Sequence, residues 1–469
     1  MNNTEHSGKW WLPSNPEHTV SGTLTFSNQD GAELRLIGSL EASDTFNTAL
    51  KTYPIILGLS VDGKLITLNG CMSAGTRMTI PGFISQAYRI DLCFVGGHIS
   101  GESQLRFKRL ELQYSRLPDW VFTSGFSITK YDNEPHRLEV NYVLPDDIKA
   151  ITTKGTFSIT FTFNLKGDGI EEINLRQSVW LEIEADDEYS FYELITRYIR
   201  PLQNFLSLAA TKPNSILGLK VYSKDIFVET PNGSPEETPL EVIFSQTYYE
   251  VKPAKLLLVF DMLFNLHDIA EELQEVLESW LRVSEELDTV CNLFFGIQYI
   301  PKMYPKQKFL YVVQAIETYH RRRFANNVLP KAAHKARIRE ILEHTVEEHR
   351  EWLKEQLNYS NEPRLRRRVK EILDMLEDTV STLITDKDAF VKDVVNTRNY
   401  YTHYDPRLKT KAAQGIKLYV LTEQLSYLLQ ACLLVELGIP KQKCAELLIR
   451  NQGYIRAINR AQDTSRASI

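Results

Sequence analysis

The sequence predicts an α+β multidomain protein, with an antiparallel β-rich N-terminal domain followed by an all-α helical bundle. Three observations predict it. Apolar residues alternate with period two through the first half, they recur at helical spacing through the second, and charge divides along the same line. Of 469 residues, 43% are hydrophobic and 24% charged, with a formal net charge of −6. That is a globular composition, not a disordered, collagen-like or disulfide-rich one. Residues 301–469 hold 30 Lys+Arg and 20 Asp+Glu, a net of +10; the remainder holds 24 and 40, a net of −16. An acidic and a basic portion predict different partners, and the basic one is compatible with nucleic acid, though ordinary solvated helix faces would look the same.

The β elements come first. Phe157, Ile159, Phe161, Phe163 and Leu165 alternate with Thr156, Ser158, Thr160, Thr162 and Asn164, which predicts a strand with one buried face. A turn at 166–169 and a return through Val179, Leu181 and Ile183 make a hairpin. Leu24/Phe26, Leu34/Leu36, Leu65 to Leu68 after Asp62-Gly63, and Leu110/Leu112 repeat the pattern, so a sandwich or barrel-like domain is expected. Ser190 and Glu193 form a capping box ahead of a helix carrying Tyr192, Ile195, Ile199, Leu202 and Leu206, which Pro201 should kink or split. Residues 229–239 read as a loop or linker.

From about Lys255 the period is helical. Phe309, Val312, Ile316 and Tyr319 form one stripe; Ile338, Ile341 and Leu342 begin another; Phe390, Val394 and Val395 lead into a third. Leu418 to Leu437 is so apolar that it should be a central helix or part of a dimer face. The boundaries read this way are 1–240 for a β-rich domain, 241–300 for a helical connector and 301–469 for the helical domain.

Several chemistries lack their motifs. There is no P-loop, dinucleotide G-x-G-x-x-G, G-x-S-x-G elbow or H-E-x-x-H helix, and no C-x-x-C among five cysteines. His344 and His349 lie about 140° apart around a helix, a poor chelating pair. No metal and no cofactor are expected. The start lacks a basic-then-apolar leader, and Gln430 and Glu436 break the best apolar run, so a cytoplasmic protein without a membrane partner is expected.

The candidate site is Arg398, Asn399 and His403, an R-x4-H pattern following an apolar helical stripe. Arg337 and Arg339 also precede His344 at similar spacing, but on a highly charged helix. Pro406 disfavours helix at Asp405, so His403 falls in a last turn, where the helix dipole favours imidazolium. Histidine suits proton transfer near neutral pH, and a guanidinium grips phosphate oxygens. Five helical residues separate Arg398 and His403 by about 7.5 Å along the axis and about 140° around it. One copy converges poorly; two copies about a dyad would gather two of each.

Arg398–His403 resembles the motif of the HEPN superfamily, small helical domains of which many are metal-independent ribonucleases. Gly8-Lys9-Trp10-Trp11-Leu12-Pro13 with Val20–Phe26 resembles the opening of ApeA-type antiphage defence proteins, and Phe309–Phe324 resembles the first helix of their HEPN domain. The resemblance implies a ribonuclease acting in phage defence by abortive infection. RNA would be its substrate, with tRNA among the candidates. A phage-derived trigger is implied, a protein among the candidates, together with a homodimer through the helical domain. His403 would move protons, Arg398 would hold the phosphate and Asn399 would orient either. Glu317 would orient Arg398 or His403, or is an exposed helix acid. Tyr404 would stack on a base or pack at the helix end. Arg321, Arg322 and Arg323, with Arg366, Arg367 and Arg368, would track an RNA backbone or are solvated charge. Two other readings stand beside this one: a non-catalytic dimerisation, RNA- or nucleotide-binding module with a ligand-binding β domain, and a β domain that recognises carbohydrate or protein.

Overall fold

A computed structural model describes residues 4–27, 31–41, 51–79, 81–133, 136–229, 235–250, 255–300 and 302–466. The chain forms two compact units: Met1–Leu257 with Asn265–Glu278, and Leu258–Phe264 with Ser279–Ile469. The β-rich region precedes the helical one, as the periodicity predicts.

The first unit is built on six strands that close into a ring: β1 (Thr4–Leu12), β2 (Asn15–Ser27), β3 (Gly31–Ile37), β4 (Thr52–Ser60), β5 (Leu65–Met78) and β6 (Ile84–Val95). Around it the order is β1, β2, β3, β6, β5, β4 and back to β1, every pair antiparallel. Trp10, Leu34, Ile56, Ile66, Leu68 and Tyr88 are buried in it. Trp10 stands opposite Gly58 across β1 and β4. A Cβ at Gly58 would lie 2.3 Å from the Trp10 ring.

The sheet continues from β6. Next come β7 (Arg106–Tyr114), α1 (Leu117–Val121), β8 (Phe126–Lys130), β9 (Leu138–Tyr142), β10 (Ile148–Thr152), β11 (Gly155–Lys166) and β12 (Asn174–Ser190). They are followed by α2 (Phe191–Leu194), α3 (Arg200–Ala210), β13 (Ile216–Glu229) and β14 (Pro235–Phe244). The strands run β6, β14, β13, β7, β12, β11, β10 across the extension, and β8 and β9 form a separate ribbon. Helix α3 presses Leu202, Phe205 and Leu206 toward Phe157, Ile159 and Leu181 of the sheet.

Two local expectations change and one holds. Phe157, Ile159 and Phe161 are buried, but Phe163 and Leu165 are 55% and 62% exposed. The reason is that β7 covers β12 only from Leu181 onward, so the outer half of the β11–β12 hairpin is paired only with itself. Pro201 does split its helix into α2 and α3, as expected. It sits in the first turn of α3, behind a π-helical turn at Ile195–Ile199 that accommodates its missing N–H. Of the expected loop at 229–239, Pro235–Pro239 lie in β14 and pair with β13, while 230–234 fall outside the described residues. β14 meets β6 only from Glu241 onward, so its proline-bearing half is an edge, where a missing N–H is tolerated.

The second unit takes the end of α4 (Leu273–Glu286), then α5 (Asp288–Tyr299), α6 (Pro305–Arg323), α7 (Lys331–Glu343), α8 (Glu347–Leu357) and α9 (Leu365–Leu376). After these come α10 (Lys387–His403), α11 (Ile416–Glu436), α12 (Lys441–Arg450) and α13 (Gln452–Arg466). Helix α11 is the centre: Leu425, Leu428, Leu429, Leu433 and Leu434 are fully buried. It is long and apolar enough to cross a membrane, and 67% of its most apolar window is buried within the protein. The α6 stripe of Phe309, Val312, Ile316 and Tyr319 is buried as expected. The stripe expected at Ile338, Ile341 and Leu342 is not: α7 and α8 bury no residue, because their charged faces leave too little apolar surface to cover.

Gly58→Ala should destabilise the first unit by about 1–3 kcal/mol, since the methyl group must displace a buried indole. Urea unfolding followed by tryptophan fluorescence should show an earlier first transition, with the α-helical signal lost where it is lost in the parent.

Candidate active site at the end of α10

Helix α10 starts at Asp386, whose carboxylate accepts from the Ala389 N–H at 2.9 Å. Phe390, Val391, Val394, Thr397 and Tyr401 form its buried face. That face leaves Arg398 on the flank, and Asn399 and His403, one turn apart, on the outer side. The helix stops at His403. Tyr404 is left-handed, with φ 51°, and its N–H returns to the Tyr400 carbonyl at 2.6 Å. Asp405 is extended ahead of Pro406, as the X-Pro restriction requires.

Arg398 is held from two sides. One Nη lies 3.5 Å from Glu317 Oε2 on α6, and the other donates to Asn399 Oδ1 at 3.3 Å. The pair is partly exposed, so it positions more than it stabilises. His403 is exposed, with no hydrogen-bond partner among the described residues. Thus the structure brings Arg398, Asn399 and Glu317 together, and leaves His403 one turn from Asn399 and open to solvent.

The segment after His403 is anchored. Thr397 Oγ1 accepts from the Ala413 N–H at 2.9 Å, and the Tyr401 hydroxyl donates to the Ala413 carbonyl at 3.0 Å. Tyr404 is 58% exposed, and its ring meets those of Tyr400 and Tyr401.

The two arginine runs are divided by the fold. Arg321, Arg322, Arg366 and Arg367 are exposed, but Arg321 pairs with Glu362 at 2.8 Å and Arg367 with Glu371 at 2.6 Å. Arg323 turns inward to Glu436 and Glu286, at 2.9 and 2.7 Å. Arg368 is 1% exposed and unavailable to a phosphate backbone. For Arg323 and Arg368 the expected RNA contact is therefore corrected: Arg368 is buried, and half-buried Arg323 is held by Glu436 and Glu286.

Arg368 belongs to a buried network that the sequence reading missed. It donates to His320 Nδ1 at 3.0 Å and to Asn326 Oδ1 at 2.7 Å. With Nδ1 accepting, His320 Nε2 carries the proton and donates to Glu371 at 2.6 Å. The ring stacks on Phe324 at 4.5 Å. Burial first, and then Arg368, push the His320 pKa below its ordinary 6.5, against the pull of Glu371. Position 320 continues the stripe of Val312 and Ile316, and that was the available signal. Among the described residues no group of three or more His, Cys, Asp or Glu could hold a metal ion. All five cysteines are buried thiols.

Two family models match the chain. ApeA N-terminal domain 1 matches residues 5–280, and Apea-like HEPN matches residues 310–443. No curated protein and no solved structure matches it.

His320 carries a sign that can be checked. Its pKa is depressed in the folded chain, so stability is full above 6.5 and falls as pH drops through the folded value, where the unfolded chain takes up a proton first. Melting followed by circular dichroism should show that loss between about pH 7 and pH 5. In His320→Gln, which keeps an acceptor and a donor, the loss over that interval should be smaller, from a lower starting stability.

Proposed function

Because this chain belongs to the ApeA family of antiphage defence HEPN proteins, we propose that its helical domain is a metal-independent endoribonuclease. The observation that carries the reading is the Glu317–Arg398–Asn399 cluster beside a solvent-open His403 at a helix end. HEPN domains are generally ribonucleases.

The chemistry follows from the side chains. Cleavage at a ribose needs a base for the 2′-hydroxyl, an acid for the departing 5′-oxygen and a cation for the charged phosphorane. His403 takes the 2′ proton. The freed oxygen attacks phosphorus, the P–O5′ bond breaks, and the 5′-oxygen receives a proton. Arg398, aimed by Glu317, holds the non-bridging oxygens through two N–H groups. Asn399 lies between the two and can donate to a phosphate oxygen while its carbonyl stays with Arg398. The products are a 2′,3′-cyclic phosphate and a 5′-hydroxyl; DNA, lacking the 2′-hydroxyl, is spared.

One helix carries Arg398 and His403 too far apart around its axis to close on a single phosphate. The reading therefore includes a homodimer, in which a second copy's His403 supplies the acid. It also includes cellular RNA as substrate, tRNA among the candidates, cleaved in the cytoplasm to abort infection. The β-rich domain senses a phage-derived trigger or restrains the helical domain until one arrives.

Wild type and His403→Ala should be expressed in bacteria with and without phage, and new RNA ends mapped by their 2′,3′-cyclic phosphates. His403→Ala should lower the yield of such ends about 10²–10⁴-fold. Arg398→Lys should lose most of it too, because an ammonium cannot make the paired contact. Cleavage by infected lysates should persist in EDTA. Ends that survive His403→Ala would defeat the site; resistance without any ends would favour a non-catalytic module.

A further inference from the structure

The arginine runs do not make the strongest anion surface on the second unit, for their charge is largely met by carboxylates. A different surface keeps its charge. The start of α6 lies against the end of α10: Phe309 and Tyr401 are both buried, with ring centres 6.4 Å apart. Lys306 Nζ stands 5.4 Å from the centre of the Tyr401 ring. Residues 302–308 and residues 404–411 therefore flank the contact between the start of α6 and the last turn of α10.

Their content is one-sided. Residues 302–308 carry Lys302, Lys306 and Lys308 and no acid, and α6 has no acidic residue in its first turn. The free N–H groups of that turn add positive potential. Residues 404–411 carry Arg407, Lys409 and Lys411 against Asp405, which Arg407 neutralises at 2.8 Å. Lys306, Lys308, Lys409 and Lys411 are exposed, and none has an ion-pair partner among the described residues. Two exposed tyrosines accompany them, Tyr304 at 77% and Tyr404 at 58%. The second segment is not a loose tail, since Thr397 and Tyr401 both hold Ala413.

We propose that this lysine collar, residues 302–308 with 404–411, grips the phosphate backbone of the RNA and leads it to His403, with Tyr304 and Tyr404 as base-stacking platforms. Unpaired lysines release counterions when a phosphate binds, whereas arginines already neutralised by Glu362 and Glu371 must first surrender a partner. Aromatic rings interleaved with such charge suit unpaired, single-stranded bases. The proposal rests on the ribonuclease reading above.

The test uses the full chain in the His403→Ala background, purified from phage-infected cells so that any restraint is released, and RNA is bound without being cut. The probe is a labelled single-stranded RNA of mixed sequence, titrated over a range of salt concentrations. Replacing Lys306, Lys308, Lys409 and Lys411 together by Gln should flatten the plot of log affinity against log salt by about 0.7 per lost contact, some 2–3 in all. Replacing Arg321 and Arg367 by Gln should leave the slope nearly unchanged. Tyr404→Ala should weaken binding about 5–100-fold with the slope intact, as loss of one stacked base does. A parent that binds with a slope unaffected by the four lysine changes overturns the collar alone, as does a slope lost with Arg321 and Arg367. A parent that binds no RNA overturns the collar and the ribonuclease reading together. Matching melting curves for parent and collar variant exclude a folding defect as the cause.

Discussion

The burial of one face of α6 is the constraint on which the candidate site depends. Phe309, Val312, Ile316 and Tyr319 are removed from water, each transfer contributing about 1.5–3 kcal/mol before entropy is counted. That burial fixes the rotation of the helix about its own axis. Glu317, one residue past Ile316, is thereby turned to the flank where Arg398 arrives from α10. Tyr319 meanwhile donates to Glu436 at 3.0 Å, tying the same helix to the central α11. The polar contact at 3.5 Å is weak by itself, and the surrounding apolar packing is what makes it a fixed geometry.

Much of this was legible in the residues, and the failures have definite causes. The α6 stripe, the capping box at Ser190 and Glu193, and the helix end before Pro406 are local signals, satisfied by neighbours within a few residues. Closure of β1–β6 was not legible, because the β5–β6 and β3–β6 pairings set three strands in contact from both sides of one. Phe163 and Leu165 have the right alternation and still lie open, since alternation says which face a residue takes and not how far the neighbouring strand extends. His320 follows the apolar stripe of its helix but was hidden by its own polarity. Its burial makes sense only once Arg368 and Glu371, some fifty residues later, are seen to meet both ring nitrogens.

Charge is the clearest case in which composition and structure part. Thirty basic residues among 301–469 suggest one broad positive field. In the fold, Arg368 is inside, Arg323 is half-buried against two carboxylates, and Arg321 and Arg367 each face a carboxylate within 3 Å. A run of three arginines on a helix points in three directions, so that one of them usually meets the core. The lysines at the start of α6 and just past the end of α10 look weaker in sequence, because they are spread over two segments about a hundred residues apart.

The closed ring of β1–β6 has a consequence for the behaviour of the chain at high concentration. An open sheet of twelve strands offers two bare edges to other molecules, and each is a template for aggregation. Here the β5–β6 pairing removes one of them. The other edge of that sheet among the described residues is β10, only five residues long, with Lys149 exposed at its second position. A short strand bearing a charge is a poor template, because an incoming strand would gain few hydrogen bonds and would have to accommodate the ammonium group. The same strand is where a single change, Lys149→Val, would convert a protected border into an adhesive one.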